Sequence, residues 1–217
     1  NGMLILSKHE FSSEVSFEPW SNWTRLLERK SSKGIMGVNA KLPSAQIISL
    51  FTAHTSTKLF KNGEYKATHI EKRLVQIEQV AAFMEKAKVK SNNAPQILGI
   101  DLNTHIYRWN KEQKVFGPEL APSYKHLLSK TNLQDSDLDP DSSKKITYDP
   151  ATNYWGASGF FADDPPLKLD YLFVSKDVVS PESSVIKLDD EFEFLKDNQT
   201  FKAPLSDHYG ILSTFSL

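Results

Sequence analysis

The sequence contains no cysteine, which excludes disulfide bonds, thiolate metal sites and a cysteine nucleophile. It also lacks an excess of either charge, because 26 Lys and Arg residues stand against 27 Asp and Glu residues, for a formal net charge of -1. The chain as a whole therefore lacks the basic surplus that drives non-specific DNA binding, although a local basic patch stays open. No apolar run approaches the ~20 residues of a membrane-spanning helix. Any metal site must use oxygen and imidazole ligands.

Apolar residues are plentiful enough to build a sizeable core. The chain has 217 residues, of which 39% are hydrophobic and 11% aromatic. A chain of this length fits one large domain or two small ones, and we expect a single domain over residues 1–217.

The hydrophobic pattern predicts an α+β fold with helices packed on sheets. Ile70, Leu74, Ile77, Ala81 and Met84 recur at helical spacing and predict one long helix, and a shorter helix is expected near 123–129. Six apolar runs bounded by Gly, Pro, Asn or Ser predict at least six strands. These runs are MLILS (3–7), GIMGVNAKL (34–42), IISLFTAH (47–54), QILGIDL (96–102), LDYLFVS (169–175) and YGILSTF (209–215). The long irregular stretches at 110–122 and 133–167 predict a functional rim or a disordered segment.

Asp101 and Asn103 follow an apolar run, with Leu102 between them. Side chains alternate faces along a strand, so both polar groups would share one face, which suits a cation or a phosphate. The alternative is that Asp101 caps a turn and Asn103 lies in solvent, because such residues commonly form turns after strands.

Polar residues recur at other strand ends. Asp207 and His208 stand just before the last predicted strand, His54 ends an earlier one, and Asp170 interrupts an apolar strand. A lone histidine is more often structural than catalytic, and an aspartate before a strand is often a cap. A carboxylate within a strand nevertheless costs several kcal/mol unless a partner satisfies it, and a histidine partner is expected for Asp170.

Taken together, these histidines, aspartates and the asparagine suit the hydrolysis of a phosphodiester. A divalent metal held by oxygen ligands neutralises the phosphate, and a histidine oriented by a carboxylate takes a proton from water. Asp and Asn ligands without Cys favour Mg²⁺ over Zn²⁺. The sequence therefore predicts Mg²⁺, or the similar Mn²⁺, as cofactor.

Four segments together resemble the endonuclease/exonuclease/phosphatase superfamily. They are TAH (52–54), GIDLN (99–103), KLDY (168–171) and LSDHY (205–209), in the family's order. Within that superfamily the chain is most similar to the bacterial-type sphingomyelinases C, through GMLILSKHEF, SSKGIMGVNAKL and TYDPATNYW. The resemblance runs from Gly2 to Phe215 and implies a DNase I-like fold, a two-layer β-sandwich flanked by helices.

The resemblance also implies a role for each matching residue. Asp101 and Asn103 would lie at the metal and the scissile phosphate, with Asp207 and His208 beside them in the metal site. His208 would be the general base, His54 would stabilise the phosphate or leaving group, and Asp170 would orient a catalytic histidine. The family's substrate-binding segment is matched by Asp149 and Asn153.

The chain departs from the family's pattern in three places. Ile100 stands where the family has a glycine, and TAHTST lacks the usual Gln-Ala after the histidine. Family members also begin earlier, with one strand that carries an Asn and another that carries the principal Glu ligand of the metal. We find neither strand and expect the chain to be N-terminally incomplete.

The segment YWGASGFFADDPP (154–166) bears on the substrate. Its rings, at Trp155, Phe160 and Phe161 among others, either fold back into the core or form an apolar tip that enters a lipid interface. With the near-neutral charge, the second alternative favours a phospholipid headgroup over DNA. We therefore expect a phosphodiesterase of phospholipase C type that acts at a membrane surface. The resemblance implies that it is secreted, and we expect a monomer. A nuclease of the same superfamily and a catalytically inactive lipid- or protein-binding module are the alternatives.

Overall fold

The computed structural model describes most of the chain. The described residues are 3–22, 32–57, 60–61, 64–65, 67–110, 115–137, 145–152, 165–186, 191–196, 199–204 and 206–216. Within these ranges, no helix has both the length and the apolar character needed to cross a bilayer.

Two helices and fourteen strands are described. The helices are α1 (Ala67–Lys90) and α2 (Pro122–Lys130). The strands are β1 (Ser16–Pro19), β2 (Gly34–Lys41), β3 (Ile47–His54), β4 (Phe60–Lys61), β5 (Glu64–Tyr65), β6 (Gln96–Asp101), β7 (Tyr107–Asn110), β8 (Val115–Leu120), β9 (Leu133–Asp135), β10 (Asp170–Ser175), β11 (Val179–Ile186), β12 (Glu191–Lys196), β13 (Gln199–Pro204) and β14 (Gly210–Ser216). Both predicted helices and the α+β class are confirmed.

The main sheet has six strands in the order β1-β2-β3-β6-β10-β9. Its central pair, β3 and β6, is parallel, and every other neighbouring pair in it is antiparallel. Two parallel neighbours require a crossover connection, and α1 supplies it between them. The carboxyl ends of β3 and β6 therefore lie at the same end of the sheet, where β10 begins.

Helix α1 covers the main sheet with an apolar face. Ile77, Val80 and Met84 are buried, and the Phe83 ring meets the Phe51 ring edge-on at 6.1 Å. Full burial of such a side chain contributes about 1.5–3 kcal/mol. Gly37 of β2 is required beneath this pair, because a Cβ atom there would lie 2.7 Å from the Phe51 ring. The ring pair thus fixes how closely α1 packs on the sheet.

A second, smaller layer is formed by β11 and β14, which pair antiparallel. A hydrogen bond of 2.9 Å between the hydroxyls of Ser136 and Ser213 joins it to the segment after β9. Between them in sequence, β12 and β13 form an antiparallel hairpin. An exposed ion pair of 3.3 Å links Glu193 and Lys202 across this hairpin.

A buried ion network connects the two layers. Lys168, of which 2% is exposed, donates to Asp137 over 2.9 Å. Lys145 donates to the other oxygen of Asp137 at 2.8 Å and to the carbonyl of Ser183 in β11 at 3.0 Å. Burial acts to raise the pKa of the Asp137 carboxyl, but the hydrogen bonds from both lysines outweigh it and hold that pKa below its usual value.

Two expectations from the sequence are wrong. Residues 3–7 do not form a strand: Leu4 and Leu6 are 69% and 82% exposed, and none of the described strands pairs with this apolar run. The edge of the main sheet is formed instead by β1. The stretches expected to be irregular also contain two strands, β8 and β9. Strand β8 pairs with its neighbour in sequence, β7, whereas β9 pairs with the distant β10.

Candidate active site

Three site candidates lie side by side at one end of the main sheet. In the strand register His54 is opposite Asp101, and Asp101 is opposite Asp170. The three residues end or begin the central strands β3, β6 and β10. The topology therefore brings together residues that are far apart in the sequence.

The histidine partner of Asp170 is His208, which precedes β14. Its Nδ1 atom lies 2.7 Å from Oδ2 of Asp170. Burial alone would lower the pKa of His208, but the hydrogen bond and the charge of Asp170 outweigh it and raise the pKa to about 9, with a smaller contribution from Asp101. Burial raises the pKa of Asp170, and the hydrogen bond from His208 opposes that rise.

Thr147 fixes the position of this pair. Its hydroxyl oxygen accepts hydrogen bonds from the backbone N–H groups of Leu169, at 2.9 Å, and of Asp170, at 3.1 Å. Its carbonyl accepts from the N–H of Tyr209 at 2.7 Å. One residue therefore ties the start of β10 to the chain next to His208, while the Tyr148 ring lies 5.2 Å from the imidazole.

Asp101 uses its two oxygens differently. Oδ1 accepts the N–H of Asn103 at 2.9 Å, and Oδ2 lies 3.1 Å from Nε2 of His54. The expectation that Asp101 and Asn103 share a strand face is wrong, because β6 ends at Asp101 and Asn103 lies in a bend with a φ of 49°. Asp101 thus caps a turn with one oxygen and faces the candidate site with the other.

The Asn103 side chain is directed toward the end of β3. It is buried, and its amide nitrogen donates to the carbonyl of Thr55 at 3.2 Å. The carbonyl of Asn103 accepts a hydrogen bond from the buried guanidinium of Arg73 in α1. These contacts hold the turn after β6 against β3 and α1.

A group of acidic and histidine ligands suited to a metal ion is found here. The ligand atoms of Asp101, Asp170 and His208 all lie within 4.8 Å of one another, a property that no other such group shares among the described residues. Two carboxylates and an imidazole fit a hard divalent cation such as Mg²⁺ or Mn²⁺. Asp207, in contrast, is exposed and outside this group.

The remaining predicted residues are placed as follows. Asp149 caps its own turn, because its oxygens contact the N–H of Ala151 at 3.0 Å and the hydroxyl of Thr152 at 2.9 Å. Thr152 in turn contacts the hydroxyl of Tyr209, the neighbour of His208, at 2.6 Å. Asn153, Trp155, Phe160 and Phe161 lie outside the described residues.

Lys33 is a residue at this site that the sequence patterns did not reveal. It stands directly before β2 and is only 8% exposed. Its ammonium lies 2.7 Å from Nε2 of His54. In the sequence, Lys33 is only a lysine at the start of a strand. Its position becomes informative once β2 is known to pair with β3, because β3 ends at His54.

Comparison with known proteins gives likenesses among solved structures alone: no protein-family model and no curated protein matches the chain. SmcL is similar with a TM-score of 0.74 at 20% identity, over 97% of this chain and 67% of that one. Sphingomyelinase C from Streptomyces griseocarneus is similar with a TM-score of 0.70 at 17% identity, over 95% of this chain and 65% of that one. A beta toxin variant from Staphylococcus aureus with bound magnesium ions has a TM-score of 0.60 at 18% identity, over 86% of this chain and 58% of that one.

These likenesses define the fold. It is the DNase I-like fold that the resemblance in the sequence implies, and that prediction is confirmed. Within that class the chain shares its fold with a bacterial sphingomyelinase C. The chain spans about two thirds or less of the solved structures named above.

Proposed function

We propose that the chain is a phosphodiesterase of phospholipase C type, dependent on Mg²⁺ or Mn²⁺, that hydrolyses sphingomyelin or a related phospholipid. One observation carries the proposal, namely that the His208–Asp170 pair lies beside Asp101, with all three ligand groups within 4.8 Å. A base oriented by a carboxylate and placed next to a cation site is the arrangement that phosphodiester hydrolysis needs.

The residues have separable roles in this proposal. Asp170 accepts a hydrogen bond from Nδ1–H of His208. This leaves Nε2 to take a proton from the attacking water. Asp101 and Asp170 supply the carboxylates for the cation, whose charge neutralises the phosphate. His54 lies on the other side of Asp101, where it can contact the phosphate or the leaving group.

The first prediction tests the general base. His208→Ala should lower the hydrolysis of bis-(p-nitrophenyl) phosphate in Mg²⁺ by about 10² to 10⁴ in rate, the usual loss for a general base. His126→Ala is the matched control, because His126 also contacts a carboxylate, Glu78, at 2.9 Å, but on the helical face. The control should keep its rate. If the His208 variant kept more than half the wild-type rate, His208 would not be the base.

The same assay distinguishes the alternatives. Chelation with EDTA should abolish the activity, and Mg²⁺ or Mn²⁺ should restore it. Sphingomyelin vesicles and plasmid DNA then serve as substrates side by side. Preferential cleavage of DNA would indicate a nuclease of the same superfamily, and no turnover of any of the three substrates would indicate a binding module.

The second prediction concerns the lipid surface and rests on the sequence. Replacement of Trp155, Phe160 and Phe161 by Ser should abolish binding to sphingomyelin vesicles and leave the hydrolysis of a small soluble diester intact, if these rings enter the interface. Vesicle sedimentation and the soluble assay measure the two effects. Equal loss of both would place the rings in the core. A membrane surface as partner, secretion and a monomeric state all remain proposals that rest on the resemblance.

A further inference from the structure

Lys33 contacts three acceptors within one short segment at the candidate site, residues 54–57. Its ammonium lies 2.7 Å from Nε2 of His54, 3.0 Å from the hydroxyl of Thr57 and 3.3 Å from the carbonyl of Thr55. An ammonium group has three N–H donors and no acceptor. Three acceptors from residues 54–57 therefore lie within reach of these protons.

His54 cannot satisfy both of its neighbours with the same nitrogen. Nε2 lies 2.7 Å from the ammonium of Lys33, which can only donate, and 3.1 Å from Oδ2 of Asp101, which as a carboxylate can only accept. A neutral imidazole nitrogen is either a donor or an acceptor. If Nε2 carried the proton, it would donate to Asp101, and its N–H would face the ammonium of Lys33, another donor, at the shorter distance.

We infer that Lys33 is a positioning residue that selects the tautomer of His54. The ammonium donates to Nε2, so that the proton of the neutral ring is carried by Nδ1. The shorter of the two contacts is then a hydrogen bond, whereas a protonated Nε2 would place two donors 2.7 Å apart. His54 consequently does not donate to Asp101, and Oδ2 of Asp101 keeps its lone pairs for another group.

This assignment changes what His54 can do. With Nε2 engaged as an acceptor, the imidazole does not itself offer a proton at that atom. The positive charge at this end of the site is then that of the Lys33 ammonium, and the hydrogen bond from this ammonium orients the His54 ring. Which ring nitrogen of a histidine carries the proton is set by the hydrogen bond that the other nitrogen makes. The position of the β3 end is supported in the same way by Trp20, whose indole N–H donates to the His54 carbonyl at 2.9 Å.

Nitrogen-15 NMR of the histidine rings tests the inference in the absence of metal and substrate. The full chain is labelled at histidine, kept in EDTA near neutral pH, and the His54 signals are assigned with a His54→Gln variant. In the wild type, Nδ1 should show the shift of a protonated nitrogen and Nε2 that of an unprotonated one. In Lys33→Met the pattern should reverse, because Nε2 is then free to donate to Asp101.

Two further variants complete the experiment. Lys41→Met removes the same charge from the exposed far end of β2 and should leave the His54 signals unchanged. Lys33→Arg keeps a cationic donor and should retain the wild-type tautomer. A protonated Nε2 in the wild type, or an unchanged tautomer in a folded Lys33→Met variant, would overturn the inference. If that variant does not fold, the wild-type and Lys33→Arg spectra still decide it. Because no turnover is measured, failure here is distinct from failure of the proposed function.

Discussion

At the scale of single residues, Asp170 does two things that pull its chemistry in opposite directions. It is a largely enclosed carboxylate at the start of an apolar strand, which favours its neutral form, and it accepts a hydrogen bond from His208, which favours its charged form. The balance is expressed in the histidine, whose pKa is raised to about 9. Near neutral pH the metal-free chain therefore holds His208 as the imidazolium, and a cation bound beside Asp170 would favour the neutral ring that can act as the base.

The third prediction follows from that balance. Asp170→Asn should lower the pKa of His208 below 9, because the carboxylate that offsets the effect of burial is gone. NMR titration of the His208 ring in EDTA measures the shift. Asp207→Asn is the control, since it removes the same charge from an exposed neighbour that contributes less to the raised pKa. A control variant that lowered the pKa as much as Asp170→Asn would remove Asp170 as the cause.

The residue pattern of the sequence located part of this site. A carboxylate within an apolar strand, such as Asp170, requires a partner, because an unpaired buried charge costs free energy. The sequence therefore predicts a histidine partner. Lys33 was missed for the opposite reason. Its hydrocarbon stem and charge are unremarkable at a strand end, and its importance arises only when β2 pairs with β3 and places it against His54.

At the scale of secondary structure, the segment after β9 is held by charge. Asp137 receives hydrogen bonds from Lys168 and Lys145, and Lys145 reaches β11 through the carbonyl of Ser183. The depressed pKa of Asp137 means that this stabilisation is present above the ordinary carboxyl pKa and is lost as the pH falls through the lower folded-state value. The link between the two layers is therefore expected to weaken in acid.

The fourth prediction is a difference between a buried and an exposed ion pair. Asp137→Asn should lower the free energy of unfolding by up to about 3–5 kcal/mol, because the buried Lys168 then keeps only Asp135, at 3.9 Å, as a counter-charge. Glu193→Gln breaks the exposed pair with Lys202 in the hairpin and should cost at most about 1 kcal/mol. Urea denaturation at neutral pH measures both. Similar losses in the two variants would show that the network does not carry the link.

Element prediction from the sequence succeeded where the local pattern and the packing agree. Ile77 and Met84 recur on one face of α1, and that face is the one buried against the sheet. The strand prediction is wrong at residues 3–7. Leu4 and Leu6 follow a strand-like pattern, but both are exposed and none of the described strands pairs with this run. A strand needs a pairing partner from elsewhere in the chain, and a local run of apolar residues does not supply one.

At the scale of the whole molecule, cation binding at the candidate site would be linked to folding. A ligand that binds the folded chain and not the unfolded one stabilises it, by about 2.7 kcal/mol when its concentration is 100 times its dissociation constant. The group of Asp101, Asp170 and His208 is formed only when β6, β10 and the segment before β14 are in place. Cation binding at this group would therefore report on the assembled fold.

The fifth prediction uses this linkage to define the ligands. Mg²⁺ should raise the melting temperature of the wild type in a concentration-dependent way, and Asp101→Asn should abolish the rise. Asp207→Asn should retain it, because Asp207 lies outside the group of three ligands. Differential scanning calorimetry with and without EDTA provides the measurement. If Asp207→Asn abolished the rise as well, Asp207 would belong to the ligand set that the resemblance implies.

The register that aligns His54, Asp101 and Asp170 also bears on the order in which the candidate site assembles during folding. Helix α1 is built from contacts between near neighbours in sequence and can form early, whereas the row of site residues requires strands that are distant in sequence to pair without a slip. A slip of one residue would turn every side chain of a strand to the opposite face. We therefore expect the candidate site to assemble later than the helix, and a chain with its full helical content can still lack the site.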